Sequence, residues 1–186
     1  ADRVMTEHGQ RLATYNLGDG PLGLRSLREF IGGALAVRAD MPTDPDNILL
    51  VSGSLQALDL VNETLLRSGD IVIMEESTYG GVISRFQHLD VDIIGIRVGA
   101  AGMDLAHLEE QLEALKAQGK RARYIYTIPT IHNPTGTIMP TENRQRLLAL
   151  ASRYNVPIFE DDCYADLIFD EARPPTIRSL DDSGRV

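Results

Sequence analysis

Short apolar runs alternating with amphipathic stretches constrain this chain more than any other feature of its sequence. Residues 48–51, 71–74, 92–96, 124–128 and 156–159 are mostly Ile, Val, Leu, Tyr and Phe, and each reads as a strand. Most are apolar at consecutive positions, as strands covered on both faces are. Between them the apolar period lengthens. Leu105, Leu108, Leu112 and Leu115 make one stripe that Gly119 ends, and Leu147, Leu150, Ala151 and Tyr154 make another after Pro140. Ser54 can cap a helix carrying Leu58, Val61 and Leu65, ended by Ser68-Gly69-Asp70, and residues 24–38 form a further candidate weakened by Gly32-Gly33. Strand–helix alternation with short connections predicts an α/β three-layer sandwich around a mainly parallel sheet.

Composition narrows the function classes. The net charge of −9 comes without a Lys/Arg cluster, which argues against a surface that neutralises phosphate backbones. Cys163 is the single cysteine, so no intrachain disulfide framework is expected and a reducing cytoplasm fits. The histidines at 8, 88, 107 and 132 lack ligand spacing, so no metal site is expected. No apolar run reaches 18 residues. The chain begins Ala1-Asp2-Arg3-Val4, with neither a start methionine nor a secretory pattern, and reads as the middle of something longer.

An α/β sheet places its ligand beyond the carboxyl ends of its strands, and four such ends carry unusual residues. Ser52-Gly53-Ser54-Leu55-Gln56 leads into a helix, where free amides, hydroxyls and the positive helix end suit an anion; a plain serine cap reads equally well. Glu75-Glu76-Ser77-Thr78-Tyr79 offers an aromatic face to a flat ligand, or simply a packing tyrosine. Pro129 to Gly136 holds Asn133 in a loop stiffened by two prolines, either as a donor or as an Asn-Pro turn. Glu160-Asp161-Asp162-Cys163-Tyr164 is an acid cluster that suits a cationic partner, or a set of solvated turn carboxylates. A fifth segment, Gly18-Asp19-Gly20-Pro21-Leu22-Gly23, matches the glycine pattern of dinucleotide sites. The residues before it make a poor strand, and Asp40 and Asp44 sit in a proline-rich loop, so the nicotinamide reading is set aside.

Taken together, these segments resemble the class I/II aminotransferases of pyridoxal 5'-phosphate (PLP) fold type I, over about residues 15 to 170 and in the family's order. Asn133-Pro134-Thr135-Gly136 is similar to the family's N-P-T-G loop, and Asp161-x-x-Tyr164 to its cofactor-ring motif. Ser52-Gly53-Ser54 is similar to its phosphate turn, Tyr79 to its ring-stacking position, and Gly23-x-x-x-Leu27-Arg28-Glu29 to its G-x-x-x-L-R-E segment. The resemblance implies that Asp161 pairs with the pyridine nitrogen and that Asn133 and Tyr164 hydrogen-bond the phenolic oxygen. It implies further that Tyr79 stacks on the ring and that Ser54, Leu55 and Gln56 hold the phosphate, with Asp162 a turn neighbour.

Departures from the family pattern are Ser77, where proline is usual, and His132, where glutamine is common. An extra glycine near Gly23 keeps Tyr15 from being assigned the partner-subunit phosphate contact. The family's catalytic lysine comes well after Asp-x-x-Tyr, whereas Lys116 and Lys120 precede it, so no catalytic residue is expected within the chain and the lysine is expected beyond Val186. The resemblance thus implies a PLP-dependent transaminase acting on an amino acid and a 2-oxo acid. The 2-aminoadipate/kynurenine/aromatic branch is nearest, and a cytoplasmic homodimer is expected. Residues 1–40 are expected to be an opening segment and first helix, 41–170 a PLP-binding core, and 171–186 a loop-like end. Two alternatives stay open: the aminotransferase-like effector domain of a transcription regulator, and a lyase on the same scaffold.

Overall fold

The computed structural model describes residues 2–13, 20–169 and 172–186, in two compact units that divide between Ser52 and Gly53. Gly18, Asp19 and Tyr15 lie outside the described residues.

The first unit holds helices α1 (Asp2–Ala13) and α2 (Arg25–Ala39). The Gly32-Gly33 pair in α2 has a packing reason at its first member, since a Cβ on Gly32 would lie 2.7 Å from the Thr43 carbonyl oxygen. Arg28, buried in α2, donates to the carbonyls of Gly23 and Pro45 and to Asp46, so it ties the turn before the helix to the loop after it. The strand expected at 48–51 is not formed. Leu50 donates one backbone bond to Leu22, no ladder follows, and Leu49 stays exposed. Four strand-forming side chains do not make a strand without a neighbour to pair with.

The second unit is the α/β sandwich. Its helices are α3 (Ser54–Leu65), α4 (Gly80–His88), α5 (Leu105–Ala117) and α6 (Thr141–Tyr154). Its main strands are β1 (Ile71–Glu75), β2 (Asp92–Ile96), β5 (Ala122–Thr127) and β6 (Ile158–Glu160), and β3 (Val98–Gly99) with β4 (Gly102–Met103) forms a small antiparallel hairpin. The four main strands pair in parallel in the order β2-β1-β5-β6. Alternate side chains supply two cores. Ile71, Ile73 and Ile125 pack with the leucines of α5 and α6, while Val72, Met74, Tyr124 and Tyr126 pack with Leu58 of α3 and Val82 and Phe86 of α4. Residues 172–186 carry a 3-10 turn (Arg178–Leu180), bury Ile177, and accept the Ile158 N–H at Arg185.

The connections position the site. From β1 the chain runs through α4 to β2 on one side; from the neighbouring β5 it runs through α6, on the opposite face, to β6 on the other side. Between β1 and β5 the strand order reverses, and crevices for ligands open at the carboxyl ends of such a pair.

Candidate active site

Glu75 ends β1 and Thr127 ends β5, so both stand at that reversal. The Thr127 hydroxyl donates to Glu75 Oε1 at 2.5 Å, and both side chains are buried. Burial pushes the Glu75 carboxyl up to about 7. The Asp161 carboxylate raises it further, while the Thr127 hydroxyl and nearby amides pull it down. Among the described residues, Glu75 Oε2, Thr78 Oγ1 and His132 Nε2 are buried around these strand ends without a hydrogen-bond partner. Unmet buried polar atoms cost free energy and tend to mark places where something else binds or reacts.

Asp161 follows β6 directly. Its backbone N–H donates to the Thr127 carbonyl at 2.9 Å, continuing the β5–β6 ladder by one rung, and its Oδ2 accepts the Tyr126 hydroxyl at 2.7 Å. The Tyr126 phenol is driven upward, by burial first and then by Asp161, so it remains a donor across ordinary pH. Asp162, the next residue, turns to another partner: Oδ2 accepts from the Arg173 guanidinium. Two adjacent carboxylates therefore do different things, one held by a phenol at the strand ends and one neutralised by an arginine.

Asn133 and Tyr164 come together from different loops, with Asn133 Nδ2 3.4 Å from the Tyr164 hydroxyl. That separation is long for a hydrogen bond and leaves both groups capacity for a further partner. The Asn133 loop is closed on itself by bonds from His132 N–H to Thr137, from Gly136 N–H to His132 and from Met139 N–H to Pro129. Its Asn133–Pro134 bond is cis. His132 lies beneath the loop with Nδ1 2.8 Å from the Thr135 hydroxyl, and burial lowers its pKa, keeping the ring neutral.

Tyr79 occupies the position before α4 and is 41% exposed. Its ring folds over Gly81, where a Cβ would come within 2.6 Å of the ring edge, so Gly81 makes room for the tyrosine. Ser54 is the first residue of α3 rather than its cap. Gly53 takes the cap position at φ 100, a left-handed conformation that favours glycine, and the helix opens without a side-chain cap bond. Ser54 and Gln56 are exposed and Leu55 half-buried at this helix N-terminus.

Beyond Tyr126, which reads in the sequence only as a strand residue, sequence reasoning missed two contributors. Arg144, on α6 and wholly buried, donates to the carbonyls of Met139 and Pro129, to the Thr130 hydroxyl and to the Pro175 carbonyl, and stands 3.7 Å from Glu160. It braces both ends of the Asn133 loop from below. Glu75 is the other. Neither residue type nor spacing distinguishes them in the sequence, because a polar residue on a helix and an acid at a strand end both read as solvated.

Comparison with known proteins bears on this geometry. Residues 11–184 match the family model described as aminotransferase class I and II. An aromatic-amino-acid aminotransferase from Thermococcus litoralis is 35% identical over 98% of the chain and 43% of its own length. The crystal structure of Pyrococcus horikoshii kynurenine aminotransferase, in complex with PMP and with substrates and products, superposes with a TM-score of 0.87. It is 36% identical over 99% of this chain and 46% of its own. A Bacillus subtilis protein named as an uncharacterized HTH-type transcriptional regulator, YisV, is 34% identical over 89% of the chain and 33% of its length. The chain spans less than half the length of these relatives.

Proposed function

The chain belongs to the class I and II aminotransferase family, and from that premise we propose that the protein carrying it moves an amino group between an amino acid and a 2-oxo acid with pyridoxal phosphate. One observation carries the reading: the Asp161 carboxylate, held by Tyr126, stands with Asn133, Tyr164 and Glu75 at the strand-order reversal of a parallel sheet. The side chains suit the cofactor. An acid can meet the ring nitrogen, two donors can meet the phenolic oxygen, an exposed aromatic can cover the ring, and a helix N-terminus can take the phosphate.

When bound, the cofactor supplies an electron-withdrawing pyridine ring, most effective with its nitrogen protonated. Asp161 holds a proton at that nitrogen, and Tyr126 fixes the carboxylate so that one oxygen remains for the contact. Asn133 and Tyr164 orient the phenolic oxygen by donating to it, Tyr79 stacks on the ring, and Ser54, Leu55 and Gln56 bind the phosphate through amides and hydroxyl. The relatives favour substrates of the aromatic, kynurenine and 2-aminoadipate group. A homodimer in the cytoplasm completes the proposal, supported by the family resemblance and by the lone Cys163. Sedimentation of the full-length protein as a concentration-independent monomer would refute the dimer.

The experiment that tests the cofactor reading follows visible absorbance as PLP is added to the full-length protein. Saturable binding is expected in the wild type and weakened binding in Asp161→Ala; unchanged binding in the variant would sink it. The regulator YisV supports a second reading, in which this domain senses an amino acid for a transcription factor. A basic winged-helix domain upstream of Ala1, with specific DNA binding, would favour that one.

A further inference from the structure

Glu75 is the least explained group at the strand ends. Its side chain is buried at the last position of the central strand β1, one oxygen takes the Thr127 hydroxyl and the other has no partner. From β5 come Thr127 and, beyond it, the Tyr126 phenol; from β2 comes the apolar Ile96, opposite it in the ladder; from the turn after β6 comes the Asp161 carboxylate. None of these is a cation. The two carboxyl groups thus adjoin one residue, Thr127, Glu75 through its hydroxyl and Asp161 through its backbone.

Such a pair does not carry two negative charges cheaply, and the charge goes to the better supplied member. Asp161 has the Tyr126 hydroxyl at 2.7 Å and is half-buried; Glu75 is deeper and has one oxygen bare. We propose that Glu75 is a positioning residue kept as the neutral acid, so that of this pair Asp161 alone bears negative charge. Burial driving the Glu75 carboxyl up to about 7 agrees with this assignment. Glu75 then acts on the ring nitrogen only through Asp161. It keeps a second charge out of the corner and fixes the end of β5 through Thr127.

The inference rests on the PLP reading, so its test has one arm that needs no cofactor. Infrared difference spectra between cofactor-free full-length wild type and Glu75→Gln at about pH 6, below the folded pKa, should show a protonated carboxylic acid carbonyl band lost in the variant. A carboxylate band lost instead overturns the proposal, whether or not PLP binds. The second arm titrates the absorbance of bound PLP with pH in wild type, Glu75→Gln and Asp161→Asn. Below pH 7, Glu75→Gln should keep the PLP dissociation constant within about twofold of wild type and leave the absorbance midpoint in place, while Asp161→Asn moves both about tenfold or more. Above pH 7 the wild type should show an extra spectral step, from ionisation of Glu75, that Glu75→Gln lacks. Equal shifts from Glu75→Gln and Asp161→Asn at low pH would show that Glu75 carries charge, and would overturn the proposal. Failure of the cofactor reading looks different: the wild type binds no PLP, or Asp161→Asn changes nothing, and the infrared arm still decides Glu75.

Discussion

The two ends of the sheet treat their polar groups in opposite ways. At the carboxyl ends, Glu75, Thr78 and His132 are buried with bonds unmade, and Asp161 and Asn133 keep capacity to spare. At the amino ends, Lys116, Lys120, Arg121, Arg153 and Tyr154 line a cavity of about 220 Å³ whose polar groups are largely exposed. There Arg153 bridges to Glu109 at 2.6 Å, Tyr154 donates to Glu113, and Lys116 lies 5.8 Å over the Tyr154 ring. The amino ends thus carry more cationic charge, and the carboxyl ends carry more unmet bonding. The second property is the better guide to chemistry, because water satisfies exposed charge and cannot reach buried groups.

The largest expected effect separates Asp161 from Asp162. Asp161→Ala in the full-length protein should lower turnover by about two to three orders of magnitude. Asp162→Ala, which frees Arg173 and removes a carboxylate that Thr130 and Arg144 also meet, should cost less than about tenfold. Steady-state kinetics of the two variants decides, and equal losses would remove Asp161 from the site. Arg144 comes next. Arg144→Met removes a donor from the Pro129 and Met139 carbonyls and from Thr130, and the cation beside Glu160, and should destabilise the fold by ~3–5 kcal/mol in urea unfolding. A loss under ~1 kcal/mol would mean that the Asn133 loop is held by its own bonds alone.

Glu75 makes stability depend on pH. Its folded pKa, about 7, lies above the ordinary carboxylate value, so its contribution to stability is full below about pH 4.5 and is lost as pH rises through about 7. The loss should reach ~3 kcal/mol at most, less where the corner admits water. Unfolding free energies of wild type and Glu75→Gln should therefore converge or cross as pH increases from 5 to 8. Parallel curves would show that Glu75 does not titrate in that range.

Much of this was legible in the sequence, and the failures have physical causes. β1, β2 and β5 are apolar on both faces because helices cover both faces, and periodicity finds such runs. The stripes of α5 and α6 were equally plain. The run at 48–51 has the same composition and no ladder, because pairing is a property of neighbours rather than of the run. Helix α4 went unread, since Gly80-Gly81 opens it and Gly81 is needed there for the Tyr79 ring. The β3–β4 hairpin, two residues a side, lies below what alternation can detect. Asp161, Asn133 and Tyr164 read as motifs in the sequence, but the approach of Asn133 to Tyr164 is a property of the folded loops. Glu75 and Arg144 were invisible because burial alone distinguishes them from solvated acids and bases.

The smallest expected effect belongs to the lysines, and it tests the comparison from its other side. Transamination with PLP needs an amine at the cofactor, and the amines of this chain are Lys116, Lys120 and the terminus. Lys116 is in the last turn of α5 and Lys120 just past it, both exposed and both lining the cavity where β5 and β6 begin. Asp161 and Asn133 lie past the other ends of those strands, separated from the lysines by the length of β5. The double variant Lys116→Ala, Lys120→Ala in the full-length protein should keep PLP affinity and turnover within about twofold. Stability should fall by ~0.5–1 kcal/mol, mostly from the lost Lys116–Tyr154 contact. The 186-residue chain, given PLP, an amino donor and a keto acid, should show no turnover above free PLP. Borohydride should trap no adduct in it near Asn133 or Asp161. A reduced adduct mapped to Lys116 or Lys120 by mass spectrometry, together with transaminase activity, would put the chemistry at the cation-rich end and reverse the assignment of the two ends.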